Sequence, residues 1–170
     1  WRWSRKSGIL GTDYLFRAAW AKWFTGGNAP QEAIYMDARK DDSGNPFSGN
    51  KRYAMHFEPG QFPPVGAFWS LSMYNLADGS FVENPITRYS IGDRTPGLIR
   101  NDDGSLTLFL QHDQPTDPIA KANWLPAPAG GFYLNLRLYE PDDSLEKGTW
   151  SPPPIKESHG RGLRQLAKIR

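Results

Sequence analysis

The histidines are the first candidates for chemistry, because imidazole readily takes up and releases a proton near neutral pH. The sequence contains three of them. His112 stands beside Asp113 at the core-side end of an alternating stretch, and a histidine next to a carboxylate can serve as a general base. His56 is a second candidate base, whereas His159 lies near the C-terminus and is expected to be inert. The alternative for His112 is a structural role in which its hydrogen bonds are satisfied.

The spacing of metal-ligand side chains does not predict a metal site. The histidines form neither HxH nor HxxxH, and the chain has no cysteine. An acidic stretch over residues 37–45 resembles a calcium loop in composition, but it lacks the EF-hand spacing and its closing glutamate. Turn formation explains this stretch better. No phosphate-binding glycine loop and no GxSxG pattern occur, so we predict neither a metal nor a cofactor.

Three arginines could stabilise an anion. Arg137 lies within an alternating stretch, where a guanidinium could hold a carboxylate or a phosphate through two parallel hydrogen bonds. Arg88 and Arg94 lie in a polar segment that also contains Asp93. These two arginines could line the rim of a site, or an Arg–Asp pair could simply order the loop.

The elements that must position these side chains are mainly strands. Period-two alternation, punctuated by Gly, Pro, Asn and Asp, predicts strands over 33–37, 52–57, 67–74, 89–91, 105–111 and 132–139. Helical spacing predicts one substantial helix over 14–24, capped by Thr12 or Asp13 and ended by Gly26 and Gly27. Residues 115–131 are expected to form a long loop. We therefore predict a mostly-β fold, namely an antiparallel β-sandwich of jelly-roll type with one N-terminal helix.

Alternation also separates two faces of the predicted sheets. The inner face is apolar, whereas the outward positions are rich in aromatic, amide and hydroxyl side chains and lack Lys and Glu. Such a mixture is typical of a covered surface or of one that holds a ligand. We predict a ligand-binding face that contains Arg52, His56, Tyr74, Tyr133, Asn135 and Arg137. The alternative is that the helix or a second subunit covers this face.

Length and charge restrict the classes of protein. The chain of 170 residues suits one domain, which we place at 12–150, between an N-terminal extension (1–11) and a Pro-rich, then basic tail (151–170). The net charge of +2 argues against nucleic-acid binding. No apolar run approaches the roughly 20 residues of a membrane span. The sequence opens at Trp1 without an initiator Met, so we expect a further segment upstream.

Several longer phrases resemble a known bacterial family. They are YLFRA (14–18), PPVGAFWSLSMY (63–74), NPITRYSIGDR (84–94), NDDGSL (101–106), NWLPAP (123–128), RLY (137–139) and WSPP (150–153). Their order is similar to that in the domain of unknown function 1214. The resemblance implies a jelly-roll-like β-sandwich, and a separate protein that would supply the partner domain (domain of unknown function 1254) which precedes it in many relatives. It also implies a membrane anchor or export signal upstream, and so the cell envelope or periplasm.

Three functions remain open from the sequence. The first is a binding or accessory module that uses the predicted face for a small polar or carbohydrate-like ligand, or for a partner. The second is a hydrolase or lyase with His112 or His56 as the base, Asp113 to orient it, and Arg88, Arg94 or Arg137 to stabilise an anion. The third is a homo-oligomeric structural protein, in which Trp1, Trp3, Trp20 and Trp23 bury against a neighbouring subunit.

Overall fold

The computed structural model describes residues 1–23 and 27–158. Within these ranges the chain forms eight strands and three short helices, so the mostly-β prediction is confirmed. The strands are β1 (Ala33–Ala38), β2 (Tyr53–Phe57), β3 (Val65–Asn75), β4 (Ser90–Gly92), β5 (Leu106–Gln111), β6 (Trp124–Pro126), β7 (Phe132–Pro141) and β8 (Ile155–Glu157). The helices are α1 (Tyr14–Trp23), α2 (Pro118–Ala122) and α3 (Ser144–Lys147).

The strands form two sheets of four strands each. Sheet I has the order β1-β7-β3-β4, and sheet II has the order β6-β5-β2-β8. All neighbouring strands pair antiparallel except β5 and β6, which pair parallel. The prediction of a purely antiparallel arrangement is therefore wrong at this one pair.

One hydrophobic core draws on both sheets, as the alternation of the sequence predicts. Leucines at alternate positions of β5 and β7 point into it, and so do apolar side chains of β1, β2 and β3. The sheets meet through aromatic contacts: the ring centroid of Phe57 in β2 lies 5.2 Å from that of Trp69 in β3. In the same way, Tyr53 meets Phe132 edge to face at 5.8 Å. The period-two pattern thus identified the buried layer correctly.

The segment predicted as a long loop after β5 contains a helix and a strand. Asp117 caps α2, because its side chain accepts a hydrogen bond from the backbone N–H of Ala120 at 2.9 Å. Pro118 occupies the first turn, where its missing N–H costs nothing. The chain then continues as β6. None of the helices in the described ranges is long and apolar enough to cross a membrane.

Helix α1 forms where the sequence predicts it, with Asp13 accepting a hydrogen bond from the Phe16 N–H at 3.0 Å. Its expected end at Phe24 to Gly26 lies outside the described residues. Leu15 is 84% exposed, and Ala18 and Ala19 are exposed as well, so this side of the helix does not pack against a sheet. Helix α1 is therefore not the cover that the sequence allowed for the polar-aromatic face.

The chain returns to the sheet after the proline run. Strand β8 pairs antiparallel with β2, and Ile155 joins the core. The indole N–H of Trp1 donates to the Pro153 carbonyl at 3.0 Å, so the proline segment is also tied to the N-terminus. Residues 159–170, which include His159 and the predicted basic tail, lie outside the described residues.

The central strand of sheet I supplies a test of the core. Leu136 in β7 is fully buried, and Leu136→Ala should lower the free energy of unfolding by about 2–5 kcal/mol through lost contacts and a cavity. Urea unfolding followed by circular dichroism measures this change. Leu76→Ala is the matched control, because Leu76 is 47% exposed and its loss should cost much less. Equal costs for the two substitutions would contradict the described core.

Candidate binding face

The outer face of sheet I carries the polar and aromatic side chains that the core excludes. By register, its rows run across β1, β7 and β3, and none of these outward positions carries Lys or Glu. The members of this face are Ala33, Tyr35, Asp37, Phe68, Ser70, Ser72, Tyr74, Tyr133, Asn135, Arg137 and Tyr139.

Two residues of the predicted face lie elsewhere. Arg52 directly precedes β2, and His56 is within β2, so both belong to sheet II. Alternation specifies which side of a strand a residue faces, but it does not specify which sheet the strand joins. The structure therefore brings together Tyr74, Tyr133, Asn135 and Arg137, and it separates Arg52 and His56 from them.

The middle row of the face forms a buried polar floor. Asp37, Asn135 and Ser72 are neighbours across three strands, and Asn135 and Ser72 are only 5% and 1% exposed. The Asn135 Nδ2 donates to Asp37 Oδ1 at 2.8 Å. This contact fixes the amide orientation, since a flipped amide would place its oxygen against a carboxylate. The Asn135 Oδ1 then receives no hydrogen bond from any described residue.

Arg137 crosses this floor diagonally. Its direct partner across the strand pair is Ser70, yet its guanidinium donates to Ser72 Oγ at 2.7 Å and to the Tyr74 hydroxyl at 2.5 Å. These acceptors lie two and four residues beyond Ser70 along β3. The side chain therefore passes over the row that contains Asn135, which explains why a polar floor on an outer face is so well buried.

A row of stacked rings borders the floor on one side. The Tyr74 ring stacks on Tyr133 at 5.2 Å and on Phe81 at 4.9 Å, measured between ring centroids. The Arg39 guanidinium lies 4.6 Å from the centroid of Tyr133 and so extends the row. Phe81 remains 47% exposed, which gives the row an accessible apolar end.

A second aromatic pair lies at the other end of the face, beyond the row that contains Ser70 and Arg137. Phe68 and Tyr139 stack with their centroids 4.2 Å apart. The Arg94 guanidinium lies 4.2 Å from the Phe68 centroid and also donates to the Ala67 carbonyl at 3.3 Å. Arg94, which the sequence singled out as an anion ligand, thus lies beside this face on its phenylalanine border.

Three arginines on or beside the face form no ion pair with a carboxylate of the described residues. The ion pairs of the described chain are Lys51–Glu157 and Lys147–Asp143, and His56 Nε2 lies 3.8 Å from Glu58 Oε1. Arg39, Arg94 and Arg137 are in none of them, and Asp37 is the single carboxylate on the outer face. An electropositive surface with hydroxyl and amide groups can bind an anionic or a strongly polar molecule.

A shallow pocket of about 490 Å³ opens at the end of β3, next to the stacked row. Asn75, Leu76, Ala77, Asp78, Gly130 and Gly131 line it. The Tyr133 hydroxyl lies beside Gly79, 3.5 Å from the place a Cβ would take. Gly79 has φ of +72°, a conformation that favours glycine, so the turn can pass close to the tyrosine.

The candidate catalytic residues do not converge. His56 lies opposite Thr107, with Nδ1 2.8 Å from the threonine Oγ1. His112 is exposed rather than at the core side, and its Nδ1 lies 3.0 Å from the Ala127 carbonyl. At about 3.4 Å per residue, the five residues from Thr107 to His112 span roughly 17 Å. Asp113 is exposed, and its carbonyl accepts a hydrogen bond from Gln111.

The Arg88 guanidinium has a structural role. Its guanidinium donates to the carbonyls of Ala122 and Trp124 at 2.9 and 2.8 Å, which ties the segment before β4 to the end of α2 and the start of β6. Burial lowers the pKa of Arg88 from its ordinary value. Within the described residues, no group of His, Asp and Glu side chains is arranged to hold a metal ion.

Sequence reasoning missed Asp37 and Arg39 as members of the face. Asp37 lies beside the acidic turn that follows it, but it also alternates with Tyr35 in the predicted strand. That alternation was the signal that could have assigned it. Arg39 and Phe81 lie outside the strands, at positions where periodicity carries no information about direction.

The described chain is thus a two-sheet β protein with a polar-aromatic outer face on one sheet. It belongs to the family described as "Protein of unknown function (DUF1214)", whose model matches residues 32–143. The resemblance carried by the sequence phrases is confirmed. No curated protein matches the chain.

Two solved structures are similar to the chain. The VPA0106 protein from Vibrio parahaemolyticus is 29% identical, with a TM-score of 0.69 over 82% of this chain and 34% of that protein. A putative uncharacterized protein from Burkholderia cenocepacia is 17% identical, with a TM-score of 0.47 over 78% of this chain and 32% of that protein. The chain spans about one third of the length of these two proteins.

The Tyr133 phenol allows the burial of the face to be measured. Burial raises its pKa above the ordinary value, and Tyr74 and Asp37 add to the rise, while Arg39 and Arg137 oppose it. The stability from the neutral phenol is complete below the unfolded pKa of about 10 and is lost as pH rises through the higher folded value. The free energy of unfolding should therefore fall above about pH 10, and less steeply in Tyr133→Phe.

Urea unfolding between about pH 8 and pH 11 measures this slope. The slope that remains in the variant is assigned to Tyr53, whose pKa burial raises, and to Lys51 and Lys147, whose pKa values are raised by hydrogen bonds to Glu157 and Asp143. Tyr14→Phe removes a hydroxyl from an exposed ring and controls for the loss of a phenol. Identical slopes for the wild type and Tyr133→Phe would show that the Tyr133 phenol is not buried as described.

Proposed function

We propose that this protein is a binding module that holds a small polar ligand on the outer face of sheet I. The observation that carries the proposal is the pair formed by Asn135 and Arg137. A buried amide oxygen lies without a hydrogen-bond donor, beneath a guanidinium that no carboxylate neutralises. A buried acceptor left unsatisfied costs about 1–3 kcal/mol, so a bound molecule that donates a hydrogen bond to it would stabilise the face.

The composition of the face supports the same function. A solvated sheet face commonly carries Lys, Glu and Thr, whereas this one has stacked rings at its borders and polar groups between them. Apolar walls bury the body of a ligand, and a few polar groups fix its orientation. The stacked rings also fix the position of the Tyr74 hydroxyl, which accepts a hydrogen bond from Arg137. The aromatic border therefore preorganises the guanidinium.

We also infer that the two sheets form a sandwich of the jelly-roll type, which would place this face on the outside of the molecule. Two observations support this arrangement. The inner side chains of both sheets share one core, and most connections between successive strands pass from one sheet to the other. Such connections are typical of β-sandwiches.

Replacement of Arg137 tests the proposed function. We expect Arg137→Gln to weaken binding of small polar compounds at least tenfold, because it removes the charge that holds them. The measurement is ¹H–¹⁵N NMR with a panel of neutral sugars, hydroxy acids, amino acids and amines, which locates binding by the shifts of outer-face amides. The wild type should bind at least one class of compound at this face.

Arg52→Gln is the matched control, because Arg52 was predicted for the same face but lies beside sheet II. This variant should bind as the wild type does. The proposal fails if no compound shifts the outer-face amides of the wild type. It also fails if Arg137→Gln keeps wild-type binding while it loses much of its stability, since Arg137 would then be only a structural cover.

A further inference from the structure

We propose that the ligand of the outer face of sheet I is a hydroxylated carboxylate of the sugar-acid class, such as a hexuronate. This inference rests on the proposed function and specifies its chemistry. It follows from what Arg137, Asn135 and Asp37 each require of a molecule that lies above them.

Arg137 requires an anion. Its guanidinium has five N–H donors, and the described contacts use two of them, both with neutral hydroxyl oxygens. A carboxylate offers two oxygens in the plane that matches the guanidinium fork, and charge-assisted bonds are about twice as strong as neutral ones. A bound carboxylate would therefore compete well for the remaining donors or draw the guanidinium away from Ser72.

Asn135 requires a hydrogen-bond donor. Its Nδ2 is held by Asp37, so only Oδ1 is available, and this atom is an acceptor. A carboxylate group alone has no proton to give at neutral pH, whereas a hydroxyl does. When an anion draws Arg137 outward, the floor beneath it opens to such a hydroxyl. The ligand therefore carries an anion and a hydroxyl in one molecule.

The contacts of Arg137 set the relative positions of these two groups. Asn135 and Arg137 lie on the same side of β7, and the Arg137 guanidinium reaches Ser72, the cross-strand partner of Asn135. A sugar acid carries hydroxyls at several distances from its carboxylate. One of them can therefore reach Asn135 whether the guanidinium stays beside Ser72 or is drawn outward.

Asp37 limits the charge of the ligand. Its carboxylate lies on the same floor, bonded to Asn135, and it would repel a second negative charge placed near the amide. The face is positive at Arg137 and negative at Asp37. A molecule with one carboxylate and neutral hydroxyls at its other end fits this arrangement of charge better than a dianionic sugar phosphate. Exposed Phe81 offers an apolar surface at the border for the carbon face of a sugar ring.

The test compares four probes on the wild-type protein by ¹H–¹⁵N NMR titration: D-glucuronate, D-glucose, acetate and glucose 6-phosphate. D-glucose keeps the ring hydroxyls without the carboxylate, and acetate keeps the carboxylate without the hydroxyls. We expect D-glucuronate to bind at least tenfold more tightly than each of the other three. In Arg137→Gln this preference over D-glucose should disappear, whereas Arg52→Gln should retain it.

Other results separate this inference from the proposed function. If D-glucose, acetate or the phosphate shifts the outer-face amides with the affinity of D-glucuronate or better, the sugar-acid assignment is wrong while the binding face stands. If D-glucuronate fails but an amine or amino acid from the wider panel binds there, the assignment is again wrong. If nothing in either series shifts these amides, the binding face itself is refuted.

Discussion

The antiparallel pairing of β3 with β7 is the constraint on which both layers of the molecule depend. The register places Leu71 opposite Leu136 in the core and Ser72 opposite Asn135 on the outer side. A slip of one residue would exchange these layers along the whole pair, because successive side chains point to opposite faces. The neighbouring strand is held close as well: at Gly92 a Cβ would lie 2.1 Å from the Trp69 carbonyl oxygen. The polar floor therefore depends on the hydrophobic side chains on the inner side of the two strands, because their burial fixes the register.

Arg137 connects the stability of the sheet with its chemistry. Its long side chain covers polar groups that would otherwise contact water, and its guanidinium donates to two neutral hydroxyls while it does so. Two neutral hydroxyls hold this charge less firmly than a carboxylate would. Arg137 lies on the side of β7 opposite the leucines of the core, so the cover and the core are built from different side chains of one strand. This combination distinguishes the outer face of sheet I from the outer side of β5, whose residues are all buried.

The sequence predicted the layers well because the layers follow from local periodicity. Leu106, Leu108 and Leu110 alternate clearly, and every one of them lies in the core. The grouping of strands into sheets depends on contacts between distant segments, which no local pattern shows. Alternation therefore could not indicate that His56 belongs to sheet II. The pair Asp117-Pro118 is typical of a helix N-terminus, but the surrounding prolines favour a loop. Asp37 was assigned to its turn because acidic residues cluster there. The distant acceptors of Arg88, at Ala122 and Trp124, had no signal in the sequence at all.

Strand β8 has a consequence for how the chain can be divided. It covers one edge of β2, its Ile155 fills part of the core, and Lys51 bonds Glu157 across that edge at 2.7 Å. A chain cut at Trp150 would keep every residue of the family match yet leave the backbone N–H and C=O groups of β2 unpaired along that side. Open strand edges recruit strands from other molecules. The boundary of the folding unit therefore lies beyond the proline run, and a shortened chain would be prone to precipitate through intermolecular strand addition.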